Sequence, residues 1–361
     1  MWLNSIKLTG YKNYDSGSFS FHERIVGICG RNGRGKTNLL DAINYLCLAR
    51  SYFTRTEALN IHFGSPGFRI EGTITDDRNE KQHIVCIFRE GGKKELYLND
   101  IPYEKFSKHI GKFPCVLIAP DDISLINGNS DERRKYLDTT ICQIDENYLQ
   151  QLILYNKILA QRNALLKYES GGLKYDEVLL QSYNQKLVES GNIIHTERKA
   201  FTARLFPAIL RYYTSIAGSP ESVSISYESQ LQEDTFDQLL KSSRTKDLHT
   251  QRTNVGIHKD EIRFVLEQNP FKAIASQGQK KSLLFACKLA EYEILKEEKG
   301  FAPILLLDDV FEKLDESRIH NLIEFICSES GTQVFITDTD SERLQKIVAG
   351  KDSGIQIIQL N

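Results

Sequence analysis

The sequence predicts an α/β fold in which a parallel sheet carries a phosphate-binding loop, with a helical lobe inserted into it. Three features predict this fold: the glycine-rich stretch GRNGRGKT between a strand and a helix, the apolar run ILLL that ends in two aspartates, and a long helical segment between them. An apolar run without alternation is typical of a strand buried on both faces of a parallel sheet.

The phosphate loop comes first. Residues 30–37, GRNGRGKT, fit the pattern G-x-x-x-x-G-K-[ST]. The run RIVGIC before them suits a buried strand, and after them apolar residues recur on one helical face (Leu39, Ile43, Leu46 and Cys47). Glycines let backbone amides turn toward an anion, and the helix N-terminus adds its dipole. The predicted nucleotide-binding residues of the loop are Gly30, Arg31, Asn32, Gly33, Arg34, Gly35, Lys36 and Thr37.

A magnesium-bound nucleotide also needs a carboxylate at the end of a neighbouring strand. Asp308 and Asp309 follow the strand formed by residues 304–307, at the end where parallel sheets place their ligands. Two acids beside a core strand are unfavourable without a cation. We predict that Lys36 reaches the β- and γ-phosphates, that Thr37 and Asp308 ligate Mg²⁺, and that Asp309 polarises the attacking water. Lys36, Asp308 and Asp309 are then the catalytic residues of an ATPase or GTPase.

A second polar loop opens a helix in AIASQGQKKSLLFACKLAEYEIL. Leu283, Ala286, Ala290 and Ile294 recur along that helix every three or four residues. A helix N-terminus preceded by serine and glycine is a second anion site. The predicted nucleotide-binding residues of this loop are Ser276, Gly278 and Gln279.

With these loops the chain resembles the ATP-binding-cassette heads, in which the S-x-G-Q signature of one subunit caps the γ-phosphate held by another. The resemblance narrows to the RecF family of bacterial DNA replication and repair proteins. It is carried by GRNGRGKTNLLDAINYLCLARSY, DERRKYLD, GIHKDEIRF, ASQGQKKS, LLLDDVFEKLDESR and QVFITDTD, which occur in the family's order and spacing. The resemblance implies an α/β, ABC-type P-loop ATPase head with a mixed sheet, plus an inserted helical arm lobe.

The resemblance also implies partners. ATP with Mg²⁺ would be sandwiched in a homodimer, with Leu314 and Asp315 in the loop that crosses the interface and Thr337 near the γ-phosphate. The dimer would close on double-stranded and gapped single-stranded DNA and, with RecO- and RecR-type mediators, help to load RecA, with links to replication restart and the SOS response. Because Asp309 is one methylene shorter than the glutamate of many transporter heads, slow turnover is expected.

Some positions depart from the family pattern. Lys12, in GYKNY, replaces the arginine usual in FRNY, which predicts an altered contact to nucleotide. Phe53 stands where an arginine is more usual, although Arg50 and Arg55 are nearby. No glutamine directly follows the strand CVLIAP to act as a Q-loop ligand.

The middle of the chain divides into strands and helices. Residues 66–119 alternate apolar and polar around turns, which predicts antiparallel strands beside the loop. Two helices joined by Gly171–Gly172 then predict an antiparallel arm, or alternatively a helical lobe packed on the core. Their apolar stripes are Leu149, Leu152, Ile153, Leu159 and Ala160 on one helix, and Leu180, Leu187, Ile194 and Phe201, spaced by seven, on the other. We assign residues 1–130 and 245–361 to the head and 131–244 to the arm lobe.

Basic side chains on the arm are candidates for a DNA path, provided that several converge on one face. They are Arg133, Arg134, Lys135, Lys157, Arg162, Lys186, Arg198, Lys199, Arg204 and Arg211. The absence of zinc-finger, RNP and helix-turn-helix patterns predicts recognition of DNA structure rather than of base sequence.

Composition limits the class of protein. The net charge of −2 argues neither for nor against a nucleic-acid partner. The chain has no run of about 20 apolar residues and no secretory pattern at its start, so we expect a cytoplasmic protein without a membrane partner. None of the seven cysteines forms a C-x-x-C pair, which favours reduced core thiols.

Three alternatives stay open at this point. The loop can belong to a transporter motor head, to a small-molecule kinase unrelated to DNA, or to a non-catalytic scaffold in which the loop serves folding alone. A motor head needs a surface for a membrane partner, and a kinase has no need of the ASQGQ loop.

Overall fold

The computed structural model describes residues 1–169, 177–218, 221–310, 324, 331–348 and 354–360. The chain divides into two compact units. Unit 1 comprises Met1–Asp122, Tyr212–Ser219 and Lys281–Asn361, and unit 2 comprises Ile123–Arg211 and Pro220–Lys280. Leu314, Asp315, Gly171 and Gly172 lie outside the described residues.

The elements have the following bounds. The strands are β1 (Trp2–Tyr11), β2 (Tyr14–Ser20), β3 (Ile25–Cys29), β4 (Gly67–Thr75), β5 (Lys81–Arg89), β6 (Lys94–Leu98), β7 (Ile101–Pro102), β8 (Cys115–Ile118), β9 (Val223–Glu228), β10 (Glu261–Leu266), β11 (Asn269–Pro270), β12 (Ile304–Leu307), β13 (Val334–Asp338) and β14 (Ile355–Gln359). The helices are α1 (Lys36–Leu48), α2 (Ser124–Asn127), α3 (Ser130–Ile144), α4 (Glu146–Glu169), α5 (Glu177–Ala217), α6 (Phe236–Ser242), α7 (Arg244–Thr250), α8 (Phe271–Ile274), α9 (Gln277–Lys299) and α10 (Ser341–Val348).

A five-stranded parallel sheet forms the centre of unit 1. Its order is β14-β3-β13-β12-β8, and each neighbouring pair is parallel. Every residue of β3, β8, β12 and β13 is buried, as continuous apolar runs predict. The predicted α/β fold is confirmed, and the carboxyl ends of β3, β12 and β13 meet at one edge of this sheet.

A second sheet of unit 1 is antiparallel, in the order β2-β1-β4-β5-β6-β7. It confirms the antiparallel strands predicted for residues 66–119, except that β8 joins the parallel sheet. Parallel and antiparallel strands therefore lie in separate sheets. Helix α1 packs closely on β4, since a Cβ at Gly72 would lie 2.3 Å from Leu46 Cδ1. Eleven of the thirteen residues of α1 are buried, so the helix is enclosed on more than the one face predicted.

Unit 2 contains α4, most of α5 and a three-stranded sheet of order β11-β10-β9. The predicted division at residue 244 places residues 245–280 with the head, whereas the structure groups them with unit 2. Strand β10 belongs to this segment and pairs with β9 over six residue pairs, which places the segment in unit 2.

The two helical stripes had different outcomes. On α5, the predicted seven-residue repeat is confirmed, since Leu180, Leu187, Ile194 and Phe201 are all buried. On α4 the predicted stripe is wrong: Ile153 is 53% exposed, and the buried face consists of Tyr148, Tyr155, Ile158, Arg162 and Leu166. That face buries tyrosines and a paired arginine, which hydrophobic periodicity does not detect.

Ion pairs inside unit 2 remove two arginines from the predicted DNA path. Arg162 is 1% exposed and pairs with the buried Asp247 at 2.8 Å. Arg198 is equally buried and pairs with Asp260 at 2.7 Å and Asp138 at 2.8 Å. A buried arginine committed to carboxylates stabilises the lobe and offers nothing to a phosphate. Exposed candidates on the long helices include Lys157, Lys186 and Lys199.

Two further findings concern the chain as far as it is described. Six cysteines fall within the described residues, and all six are buried. Within those residues, none of the helices combines the length and apolarity needed to cross a bilayer.

Candidate functional site

The glycine-rich loop connects buried strand β3 to helix α1. Residues Arg31–Arg34 are exposed, whereas Gly35 and Lys36 are buried at the start of the helix. Gly35 has φ +100° and is the N-cap of α1, and a Cβ there would lie 2.6 Å from the side-chain nitrogen of Asn13. Both the left-handed backbone and the lack of space require glycine. The result is an exposed, glycine-rich loop at a helix N-terminus, which is a ready anion site.

Lys36 lies with its ammonium folded inside the loop. Its Nζ donates to Gly30 O at 2.8 Å and to Asn32 Oδ1 at 3.3 Å, and the residue is 4% exposed. Its partners among the described residues are neutral oxygens, and a buried ammonium of this kind gains strongly from an anionic partner. The loop therefore presents a positive charge at the place where an anion would sit.

Asp308 meets Thr37 at the carboxyl end of β12. Thr37 Oγ1 lies 3.0 Å from both carboxylate oxygens of Asp308, 271 residues apart in sequence. Thr337, at the end of the adjacent strand β13, donates from Oγ1 to Asp308 Oδ1 at 2.8 Å. The parallel sheet thus brings together the loop and the acidic strand, as the sequence pattern predicts, and it places Thr337 beside them.

Burial raises the pKa of the Asp308 carboxyl to about 6, although hydrogen bonds from Thr337 and Thr37 favour the ionised form. Asp308 is 4% exposed, so its charge is poorly solvated. A carboxylate of this kind, with a hydroxyl oxygen beside it, matches the hard oxygen ligands that Mg²⁺ prefers. The residues present fit the cation predicted from sequence, with Thr37 and Asp308 as its protein ligands.

Asp309 has a left-handed backbone conformation, with φ +44°. Its amide donates to Thr337 Oγ1 at 2.8 Å, while the side chain stays partly exposed. A non-glycine residue held in this region marks local strain supported by its surroundings. The geometry turns Asp309 out of the core beside Asp308, where solvent can reach its carboxylate.

The second predicted loop lies in unit 2. Ser276 and Gln279 form a reciprocal capping box at the start of α9: Ser276 N donates to Gln279 Oε1 at 2.7 Å, and Gln279 N donates to Ser276 Oγ at 3.2 Å. Gln279 Nε2 also donates to Glu221 at 2.9 Å. The box holds Ser276 exposed and Gly278 partly exposed at the helix N-terminus.

Two departures from the family pattern have local explanations. Lys12 Nζ pairs at 2.5 Å with Asp41 of α1, which is fully buried. The Lys12 ammonium also lies 5.5 Å from the centre of the Phe53 ring, a cation–π contact. In this chain, therefore, Lys12 is committed to Asp41 and Phe53.

Sequence reasoning missed three residues around the loop: Asn13, Tyr14 and Asp41. Asp41 accepts hydrogen bonds from Tyr11 Oη, Ser51 Oγ and the amide of Tyr52, each at 2.7 Å. One signal was available, because an aspartate inside the apolar helix following the loop needs buried partners. Tyr14 hydrogen-bonds the loop itself, and Asn13 lies beside its last glycine.

Comparison with known proteins gives the family. Residues 2–358 match the model of the RecF/RecN/SMC N terminal domain. The DNA replication and repair protein RecF of Flavobacterium johnsoniae is 43% identical over 361 residues, covering all of both chains. The protein of the same name from Cytophaga hutchinsonii is 40% identical, covering 95% of this chain and 90% of its own.

Solved structures agree with the sequence relatives. The structure of the recombination mediator protein RecF-ATP in the RecFOR pathway has a TM-score of 0.89 and 29% identity, covering 99% of this chain and 95% of that one. An Smc head domain from Pyrococcus furiosus, at 16% identity and a TM-score of 0.57, shares the fold alone. The predicted resemblance is confirmed: the chain belongs to the RecF family.

Proposed function

We propose that the chain is an ATP-dependent DNA-binding protein of recombinational repair and replication restart. ATP binding drives two copies together around DNA at gaps, and the clamp helps RecO- and RecR-type mediators to load RecA, with a link to the SOS response. One observation carries the ATP-dependent part: Thr37 Oγ1 lies 3.0 Å from both oxygens of a buried carboxylate, Asp308, at the mouth of the phosphate loop. The names of the full-length relatives support the repair and replication part.

Nucleotide binding follows from the loop. The ammonium of Lys36 exchanges Gly30 O and Asn32 Oδ1 for phosphate oxygens, and the backbone amides of the loop surround the anion. Thr37 and Asp308 would hold Mg²⁺. When bound, this ion neutralises charge on the phosphate oxygens. The RecF-ATP structure, similar over 99% of this chain, supports ATP as the nucleotide.

Hydrolysis relies on Asp309. Its carboxylate, partly exposed beside Asp308, orients the attacking water and accepts its proton. Thr337 accepts from the Asp309 amide and donates to Asp308, so one hydroxyl fixes both acids. The shorter reach of aspartate makes turnover slow, and ATP hydrolysis acts as a switch that ends a long-lived closed state.

Dimerisation uses the second loop. Ser276, Gly278 and Gln279 of one copy cap the γ-phosphate held by the other copy. The capping box supports this role because it pre-orders a serine hydroxyl and a helix N-terminus at an exposed position. The functional head, proposed as residues 1–130 and 245–361, then draws on both structural units, and residues 131–244 form the arm lobe.

A DNA-retention assay tests the switch. Lys36→Met removes the charge that holds the phosphates and abolishes ATP-dependent retention of a gapped duplex, whereas Asp309→Asn preserves binding and prolongs retention. Lys81→Met, at an exposed lysine on β5, is the matched control and behaves as the unmodified chain. Equal behaviour of the Lys36 and Asp309 variants would refute the switch.

A motor head or a small-molecule kinase unrelated to DNA is not favoured. The relatives and solved structures that match this chain almost from end to end at 29–43% identity are RecF proteins.

A further inference from the structure

The turn between β1 and β2 is a tight hairpin whose central residues are Lys12 and Asn13. Tyr11 pairs with Tyr14 across it, and Lys12 has φ +50°, as two-residue hairpin turns require. Three contacts of Lys12 anchor the turn: its amide donates to Asn60 O at 2.8 Å, its carbonyl accepts from His62 Nδ1 at 2.8 Å, and its ammonium pairs with Asp41. The turn is therefore held from several sides.

The free side of this turn contacts the phosphate loop. Tyr14 Oη donates to Gly35 O at 3.1 Å, and Asn13 Oδ1 accepts from Asn38 Nδ2 at 2.7 Å. A Cβ on Gly35 would lie 2.6 Å from Asn13 Nδ2 and 2.9 Å from Tyr14 Oη. Tyr14 thus hydrogen-bonds the last glycine of the loop, and Asn13 occupies the space that a side chain at this glycine would need.

Fixing the Gly35 carbonyl also fixes the next amide. A trans peptide is planar, so the C=O of Gly35 and the N–H of Lys36 point in opposite directions. The carbonyl accepts the helical bond from Leu39 N at 2.9 Å, and Tyr14 supplies a second donor from outside the helix. Burial raises the pKa of Tyr14 to about 12, so its hydroxyl keeps its proton through the neutral range. The Lys36 amide is therefore oriented before any anion arrives.

We infer that the Lys12–Tyr14 turn is a brace that pre-orders the phosphate loop, with Tyr14 and Asn13 as positioning residues. The inference rests on the proposed function, since the loop that the brace orders is the proposed nucleotide site. It also gives Lys12 a role different from that expected from the family pattern: Lys12 acts through Asp41 to anchor the brace.

The brace has a specific consequence for binding. Backbone amides of such loops surround the α- and β-phosphates, so a loop that is less ordered loses affinity for ADP and ATP alike. A residue that touched the γ-phosphate would affect ATP alone. Removing one hydrogen bond that orders the loop is expected to weaken both nucleotides by about fivefold.

The experiment is a fluorescence titration of the full chain with labelled ADP and ATP in Mg²⁺. Tyr14→Phe and Asn13→Ala should each raise Kd for both nucleotides by a similar factor, and Lys12→Arg, which keeps the pair with Asp41, should bind better than Lys12→Met. The control is Tyr97→Phe, which removes a hydroxyl bonded to Glu95 on β6 of the same unit. Thermal unfolding without nucleotide should agree between Tyr14→Phe and Tyr97→Phe within about 3 °C, because both lose one partly exposed hydroxyl.

The outcomes separate this inference from the proposed function. If the unmodified chain binds neither nucleotide, the proposed function fails. If it binds both and Tyr14→Phe and Asn13→Ala bind equally well, or if only ATP is weakened, the brace is refuted while the nucleotide site stands. A similar loss in Tyr97→Phe would also overturn the brace, because the effect would then not depend on the loop.

Discussion

Replacing Asp308 with asparagine should stabilise the nucleotide-free protein at alkaline pH while removing magnesium-dependent nucleotide binding. Asp308 is 4% exposed, and burial raises its pKa from the ordinary 3.8 to about 6. A raised pKa in the folded state means that the ionised carboxylate opposes folding. The protonated Asp308 carboxyl therefore stabilises the folded state. This stabilisation is fully present below about pH 4 and is lost as the pH rises through about 6.

The size of the effect follows from this difference in pKa. A change from 3.8 to about 6 corresponds to about 3 kcal/mol, at 1.36 kcal/mol for each tenfold change in proton affinity. Asparagine is uncharged and can still accept from Thr37 and Thr337 through one oxygen. The amide nitrogen cannot accept a hydrogen bond, so part of the gain of about 3 kcal/mol is lost. We therefore expect Asp308→Asn to be more stable than the original protein by about 1–3 kcal/mol at pH 8, with the difference falling toward zero near pH 4.

The assay is denaturant unfolding of both proteins at pH 8, 6 and 4.5, without nucleotide or Mg²⁺ and then with both. Asp15→Asn, at an exposed position on β2, is the control and should change stability by less than about 0.5 kcal/mol. With ATP and Mg²⁺ at pH 8 the order should reverse, because ligand binding stabilises only a protein that can hold the ligand. An Asp308→Asn protein that is no more stable than the original at pH 8, or whose advantage does not shrink on acidification, would refute the reasoning.

Two further predictions concern the loop and the arm lobe. Gly35→Ala should lower stability by about 1–3 kcal/mol and abolish nucleotide binding, because φ +100° is strained for alanine and its Cβ meets Asn13. Gly33→Ala, with φ +82° and no atom within 4 Å of the added Cβ, is the control for strain alone, and an equal effect of both changes in denaturant unfolding and titration would contradict the packing argument. Arg162→Met should destabilise the protein by about 3–5 kcal/mol, since it leaves Asp247 buried without its cation. Arg244→Met, which breaks a half-exposed pair with Glu177, should change the unfolding free energy by less than about 1 kcal/mol, and similar losses in the two variants would count against the role of burial.

Sequence patterns predicted the parts of the fold in which composition and periodicity agree. Strand β3, helix α1 and strand β12 follow from a short apolar run, a glycine loop and a second apolar run ending in aspartates. The pattern also predicted that Thr37 and Asp308 would meet, because parallel strands end at one edge of a sheet. In β3, α1 and β12 the local sequence preference for strand or helix agrees with the way these elements pack in the parallel sheet.

Prediction was weaker where buried polar groups determine packing. The inner face of α4 is formed partly by Tyr148, Tyr155 and Arg162, and a hydrophobic stripe does not identify an arginine as a core residue. Similarly, Tyr14 and Asn13 belong to a hairpin turn far from the loop in sequence. The hydrogen bond of Tyr14 to Gly35 and the position of Asn13 beside it depend on how the antiparallel sheet packs against α1, which no local pattern specifies.

The central claim, that ATP joins two copies into a DNA clamp, is tested most directly by sedimentation of the purified chain. The measurement compares the protein alone, with ATP and Mg²⁺, and with both plus a gapped duplex, using Lys36→Met as the binding-deficient control. The account predicts monomers without ATP, dimers with ATP, and dimers that retain DNA, with Lys36→Met monomeric throughout. A protein that stays monomeric with ATP and DNA would contradict the clamp, as would a dimer that is indifferent to ATP.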